Sequence, residues 1–342
     1  MSWLPPDEAE AYDEYDEASV RQRPNPKANK PRTKTRPEYK NAVAGRVFSV
    51  DRGRYGVWVD ENTAVERQLI ATKSRDLGKY SVVTGDWVDL VGDLSGDDGS
   101  LARIIRVQDR TTLLRRSADD TDAVERIIVA NADQMLIVVA AANPEPRTRL
   151  VDRYLVAAFD AGIHPILCIT KTDLQDPAEF LANFTGLDVE VIQTRSDDVP
   201  VDELSARLQG HTTVAVGHSG VGKSTLVNAL VPDANRAVGR VNDVTGRGRH
   251  TSSSTVSLRI GTGWIVDTPG VRSFGLGHID PANILRSFTD LDALAAQCPR
   301  GCTHLPDAPD CAITEGVAEG RLGLNGAPRL ESFQRLIATL GS

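Results

Sequence analysis

Gly217-His-Ser-Gly-Val-Gly-Lys-Ser-Thr225 sets glycines, a lysine and two adjacent hydroxyls at the spacing of a phosphate-binding loop. Glycines let the backbone turn its N–H groups inward around an anion, and the helix N-terminus that follows adds a positive field. In this reading Gly217, His218, Ser219, Gly220, Val221 and Gly222 form the cradle, with His218 a solvent-facing filler. Lys223 reaches the β- and γ-phosphates, Ser224 offers its hydroxyl to Mg²⁺, and Thr225 closes the motif. The context supports this: a strand is predicted before the loop, and a helix from Lys223 to Val231 after it, ended by Pro232.

Two further segments bear on the same chemistry. Thr170-Lys171-Thr172-Asp173 ends an apolar strand. A carboxylate there can accept from both N1–H and N2–H₂ of guanine, whereas adenine has no such donor pair. Thr170 stands where guanine-reading loops usually carry asparagine; it keeps a hydroxyl but lacks the amide that braces the loop, so a lower nucleotide affinity is expected. Asp267-Thr-Pro-Gly270 ends another strand, with Asp267 placed to hold Mg²⁺ through a water and the Gly270 N–H to sense a γ-phosphate. Between the loop and this element runs the polar stretch Val244 to Ser254, suited to a mobile switch. The glutamine that often follows an Asp-x-x-Gly element is replaced by Val271, which cannot hydrogen-bond; His250 is the best substitute, because imidazole can position water and share its proton near neutral pH.

A separate cluster, Cys298-x₃-Cys302-x-His304-x₆-Cys311, gathers three thiols and an imidazole within fourteen residues. Soft thiolates and one imidazole so close together suit a closed tetrahedral zinc site. Cys168, on an apolar strand, reads as a small core residue.

These residues need elements to hold them. From 41 to 110 five short strands alternate with glycine turns: Ala44 to Val50, Arg54 to Asp60, Ala64 to Ile70, Asp86 to Val91 and Leu101 to Val107. That pattern fits a small barrel, an OB-fold first, with an SH3-like barrel giving the same texture. From 111 to 275 apolar runs alternate with amphipathic segments, as in a largely parallel α/β sheet. The runs are Met135 to Ala141, Ile163 to Thr170, Val189 to Thr194, Thr213 to Gly217, Val256 to Ile260 and Trp264 to Thr268. Residues 276–342 hold two or three short helices and the cysteine cluster; with few apolar residues, this part is expected to need its metal to fold.

Residues 1–20 carry seven acids and no base, while 21–40 carry eight bases, one acid and four prolines, so this tail cannot build a core. It reads either as a solvated tail or as a basic arm for RNA phosphates. The net charge of −8 argues against a general nucleic-acid coat. The longest apolar run, Met135 to Ala142, is eight residues against the roughly twenty of a membrane span. An acidic start with no apolar core is no secretory signal, and four cysteines are too few for a disulfide framework, so a cytoplasmic protein is expected.

The order of the motifs is informative. Asp173 precedes Gly217, whereas most GTPases have the phosphate loop first, so the domain is circularly permuted. The chain resembles the RsgA family of circularly permuted GTPases that depend on the small ribosomal subunit. The resemblance is carried by Val129-Ala-Asn-Ala-Asp-Gln134, Asp152-Arg-Tyr-Leu155, Thr170 to Asp173, Gly217 to Thr225, Gly246-Arg-Gly-Arg-His-Thr251 and Asp267 to Gly275, and it extends over about residues 41–340. It implies an OB-like barrel, a permuted P-loop GTPase domain and a zinc-binding helical domain. It also implies GTP hydrolysis with Mg²⁺, stimulated by the small subunit during its late maturation, with rRNA contact by a monomeric protein.

It further points to His250 as catalytic beside Lys223. One hydroxyl of the run beginning at Thr251 is given to Mg²⁺, without a choice among them, and Thr251 joins the nucleotide-binding set. The family's zinc spacing differs by one residue moved between the outer gaps. Its Ser-rich base loop falls at Thr194-Arg195-Ser196, where the match is poor, so that loop is left out of the site. Two rivals are a P-loop ATPase or small-molecule kinase, which guanine-over-adenine competition separates, and a non-catalytic RNA adaptor, against which intact Lys223, Ser224 and Asp267 speak.

Overall fold

The computed structural model describes residues 41–117, 125–232, 255–268, 274 and 276–341. Five strands build the first layer: β1 (Val43–Asp51), β2 (Arg54–Val59), β3 (Arg67–Lys73), β4 (Trp87–Gly92) and β5 (Ala102–Val107). They close in the order β1-β2-β3-β5-β4-β1, with β3 and β5 parallel. This is the Greek-key closure of an OB-fold, which settles the choice of barrel. Inward positions such as Val47, Val57, Val59, Leu69, Leu90 and Ile104 fill it, and alternation along β3 and β5 leaves neighbours such as Gln68 and Arg103 exposed.

A hairpin the sequence reading did not anticipate, β6 (Leu113–Ser117) and β7 (Glu125–Ala130), connects the barrel to the α/β layer. Its hydrophobic pattern is short and its strands are basic, so it carried no clear strand signal. Asn131 follows it in the left-handed conformation at φ 56°. Its amide donates to the Gly85 carbonyl at 2.9 Å while its Oδ1 accepts from the Thr111 N–H at 2.8 Å. Asp133 accepts from the Thr212 N–H at 2.6 Å. The Val129 to Gln134 motif is thus a splice between barrel and sheet.

The α/β sheet runs β10 (Glu190–Gln193), β9 (His164–Thr170), β8 (Gln134–Ala140), β11 (Thr212–Gly217), β13 (Gly263–Asp267) and β12 (Val256–Ile260). All are parallel except β12, which runs antiparallel to β13. Strand β8 is buried along its whole length because it faces helices on both sides. Met135, Ile137 and Val139 point to α1 (Thr148–Asp160). Leu136, Val138 and Ala140 meet α3 (Val201–Leu208) and α4 (Lys223–Leu230), with Leu204, Leu208, Leu226 and Val227. A short α2 (Ala178–Ala182) follows β9. Strand β11 is central between β8 and β13 although β8, β9 and β10 precede it in the chain, as the permuted motif order requires.

The C-terminal part holds four helices among the described residues, more than the two or three read from sequence: α5 (Pro281–Arg286), α6 (Thr289–Ala295), α7 (Ala312–Ala318) and α8 (Gly326–Ala338). They do not form a core of their own. Phe288, Leu291, Phe333, Leu336 and Ile337 belong to one cluster with Tyr154, Leu155 and Phe184. At about 1.5–3 kcal/mol for each large apolar side chain buried, that shared core holds α8 without help from a metal. This burial argues that the expected dependence on metal is local to the 298–311 loop and does not extend to α8.

The Asp152 to Leu155 motif explains the attachment. Asp152 is 2% exposed and its carboxylate takes the Arg335 Nε of α8 at 3.2 Å. Burial raises the pKa of Asp152, and Arg335 works against that shift. Arg153 donates to the Phe274 carbonyl at 3.3 Å, and Tyr154 packs edge-on against the Phe274 ring at 5.8 Å. Arg335→Ala should leave a buried carboxylate without its cation. The expected loss is about 2–4 kcal/mol of stability, somewhat under the usual cost of breaking a buried pair because Arg335 is partly exposed. Urea denaturation of the two proteins checks it, and an unchanged midpoint would contradict the role of the pair.

Candidate nucleotide site and metal cluster

Strands β11 and β13 are parallel neighbours with Ala215 opposite Asp267, so both end at the carboxyl edge of the sheet. Ligands of open α/β sheets bind at that edge. The turn from β11 into α4 is the glycine loop. At Gly217 a Cβ would lie 2.5 Å from the Val138 carbonyl oxygen, so only glycine lets the loop leave the strand there. Ser224 and Thr225 stand exposed in the first turn of α4, and Lys223 reaches back to an ion pair with Asp267. The cation meant for phosphate and the carboxylate meant for metal thus converge on one point. Hard oxygens from Ser224 and Asp267 fit Mg²⁺ in their chemistry.

The Thr170 to Asp173 loop lies against the glycine loop. Thr170 is 5% exposed, and its hydroxyl donates to the Val221 carbonyl at 2.5 Å. Lys171 is in the left-handed conformation at φ 58°, and its ammonium donates to the Gly220 carbonyl at 2.9 Å and to the Asn143 carbonyl. The threonine at the asparagine position therefore does brace the loop through its hydroxyl. The hydroxyl thus makes a bracing contact to the phosphate-loop backbone in place of the missing amide. His218 bonds its neighbour, the Ser219 carbonyl, at 2.9 Å.

Asp173 is exposed at the end of β9 and accepts the Ser196 N–H at 2.6 Å. That bond is the main reason its carboxyl is held below the usual carboxylate range, so it stays anionic near neutral pH. Thr172 donates to the Thr194 carbonyl at 3.1 Å from its N–H. The Thr194 to Ser196 loop, set aside on sequence grounds, is thereby brought into the site. Its sequence signals were the family's base loop falling there, with a poor match, and its place just after an apolar strand. His250, Thr251 and Gly270 lie outside the described residues.

About the same core, Cys298, Cys302, His304 and Cys311 bring their ligand atoms within 4.8 Å of one another. The two Cys Sγ to His304 Nδ1 distances are 3.7 Å, close to the roughly 3.5–3.8 Å expected between ligands of one tetrahedral zinc. The donor set and spacing fit that ion, so the cluster could hold zinc. Burial raises the Cys311 thiol, but a backbone N–H at Thr314 and the His304 ring outweigh it and bring it down to about 6, favouring the thiolate a metal needs. The cluster is pinned to α8 where Gln334 donates to the His304 carbonyl at 3.0 Å.

Comparison with known proteins agrees with this geometry. The RsgA GTPase family model matches residues 107–277. A small ribosomal subunit biogenesis GTPase RsgA from Pseudomonas syringae pv. tomato is 36% identical over 295 residues, covering 81% of this chain and 83% of its own. The protein of the same name from Pseudomonas aeruginosa is 35% identical, covering 76% of each. Among solved structures, YjeQ from Thermotoga maritima superposes with a TM-score of 0.64 at 25% identity, over 88% of this chain and 99% of that one. YloQ, described as a circularly permuted GTPase, gives 0.63 at 24% identity over 88% and 96%, which speaks for the fold.

Asp173→Asn should weaken GTP binding and turn preference towards xanthine nucleotides. The amide offers a donor to the xanthine C2 carbonyl and opposes the guanine amino group, at a cost of about 1.5–3 kcal/mol for the lost charged contact. Competition binding with GTP and XTP reads this directly. Unchanged guanine selectivity would place the base elsewhere.

Proposed function

The chain belongs to the RsgA GTPase family and hydrolyses GTP to GDP and phosphate; from that premise we propose that it does so on the small ribosomal subunit during late maturation, with hydrolysis stimulated by the subunit. The observation that carries the reading is the convergence of Lys223, Asp267 and the Thr170 to Asp173 loop on one edge of the sheet. In this assignment Gly217 to Gly222 cradle the phosphates with their N–H groups, and Lys223 stabilises charge on the β- and γ-phosphates. Asp173 reads guanine, with Thr170, Lys171, Thr172 and the Thr194 to Ser196 loop holding it in place. Ser224 and Asp267 would hold Mg²⁺, with Thr251 and the Gly270 N–H on the γ-phosphate side. The ion, when bound, supplies positive charge against the phosphate oxygens.

His250 orients the attacking water, since Val271 cannot. Water attacks the γ-phosphorus, the bond to the β-phosphate oxygen breaks, and GDP leaves with that electron pair. The chain is divided into the tail 1–40, the barrel 41–110, the GTPase domain 111–275 and a zinc-binding helical domain 276–342. Contact with rRNA is supported by the barrel's outer face. Arg54 and Arg103, both exposed, flank Thr72 in one row across β2, β3 and β5, a local cation row on an acidic chain. No helix among the described residues is long and apolar enough to cross a membrane; the protein is assigned to the cytoplasm, as a monomer.

Two outcomes test the assignments. Turnover of GTP should be slow alone and much faster with purified small subunits. In His250→Ala, GTP affinity and subunit binding should persist while most stimulated hydrolysis is lost. Wild-type stimulated rates in that variant would remove the histidine from catalysis.

Protein purified without chelator should carry about one zinc per chain by elemental analysis. Cys302→Ser should release it and loosen the 298–311 loop and α7, leaving GTP binding and the α8 core largely intact. Hydrogen exchange maps the loss, and absence of zinc from the wild type would end the proposal.

A further inference from the structure

We propose that the first barrel strand is a positioning element of the nucleotide site, acting on Asp267 through one row of the sheet. The proposal rests on the assignment of Asp267 to Mg²⁺ above. Ser49 of β1 lies opposite Val256 of β12, Val256 opposite Asp267 of β13, and Asp267 opposite Ala215 of β11. With neighbouring strands about 4.8 Å apart, the barrel backbone is only about 10 Å from that of Asp267. A second contact acts beside the first. Thr84, 1% exposed, donates from its hydroxyl to the carbonyl of Thr255, the residue just before β12, at 3.3 Å. The start of β12 is thus gripped by the barrel on one side and by β13 on the other.

Strand β1 is shaped for this grip. Its ladder with β2 shifts register between Val47 and Ser49, leaving Phe48 as the extra residue of a bulge. Bulges bend a strand and increase its twist, and here the bend falls where β1 turns to meet β12. Gly56 faces Ser49 across the ladder. A Cβ there would come within 2.4 Å of the Ser49 hydroxyl and 2.6 Å of the Phe48 ring, so glycine is needed for the bulge to lie flat on β2.

Aromatic packing stiffens the junction. Phe48 meets Trp58 at 6.0 Å, and Trp58 meets Trp264 of β13 at 6.1 Å. Arg46 stacks over Trp87 and Trp264, and Arg259 over Trp58 and Trp264. Arg259 also pairs with Glu66 at 2.5 Å. Trp264 precedes Asp267 by one and a half pleats on the same strand. Close-packed contacts of this kind pass a displacement on rather than absorb it. A partner seated on the barrel therefore has a short backbone route to the metal-binding end of the site.

The test uses the full chain. Thr84→Val keeps the side-chain shape and removes the donor, while Thr84→Ser keeps the donor; Gly56→Ala disturbs the same strand from the other side. The readout is the Mg²⁺ concentration for half-maximal GTP hydrolysis, set beside GDP binding measured without Mg²⁺. T84V and G56A should raise the midpoint roughly two- to tenfold, the range for one net hydrogen bond, with metal-free GDP binding unchanged and T84S at the wild-type value. Either barrel variant suffices should the other fail to fold. D267N should raise the midpoint further still. Wild-type midpoints in T84V and G56A beside a shifted D267N overturn the inference and leave the Asp267 assignment standing. A wild-type midpoint in D267N removes both.

Discussion

Two hydrogen bonds join the end of β9 to the glycine loop that follows β11, and the candidate nucleotide site depends on them. A peptide unit points its C=O and the next N–H in opposite directions. When Lys171 takes the Gly220 carbonyl and Thr170 takes the Val221 carbonyl, the N–H groups of Val221 and Gly222 are turned the other way, into the loop. That is the orientation an anion cradle requires. Free in solution, such a loop would spread over many conformations and lose the entropy of ordering each time an anion bound. Bonded to the end of β9, it is ordered beforehand, and the Thr170 to Asp173 segment and the glycine loop are tied together.

The permuted order gives that unit unusual neighbours. The β12–β13 hairpin, which delivers Asp267, is bordered by the barrel through β1. Phe274, just beyond the Asp267 to Gly270 element, is held by Arg153 and Tyr154 of α1, and α1 is tied by Asp152 to α8. The chain segments on either side of Asp267 are thus anchored on the two parts of the protein that flank the GTPase core. A change at the phosphates has short, well-packed routes outward, and contacts on the flanking parts have the same routes inward, since energetic coupling between sites is reciprocal.

The C-terminal part illustrates how a shared core alters what a metal does. Structural zinc supplies folding energy outright to small units that cannot bury enough apolar surface. Here Phe288, Phe333, Leu336 and Ile337 are buried against α1, so a metal held by the cluster would act mainly on the 298–311 loop. Gln334 and the His304 carbonyl then register that loop on α8.

Local chemistry was legible in the chain itself. Glycine, lysine and hydroxyl spacing pointed to a phosphate loop, Asp173 to a base reader, the thiols and His304 to a metal cluster, and short β-rich segments broken by glycine to the five barrel strands, because each depends on residues close in sequence. Even the permutation was readable, since motif order is a property of the chain. What stayed hidden depended on contacts across long separations. The hydroxyl of Thr170 gained its role only from Val221, 51 positions away. Ser196 entered the site only because β10 lies beside β9. The Asp152–Arg335 pair, the common core of α1 and α8, and the row Ser49–Val256–Asp267 join residues that no spacing rule connects. Sequence patterns encode which face of an element is apolar and which groups it carries. Which faces meet is decided when all elements bury their apolar sides and pair their backbones at once, and only the tertiary structure records that outcome.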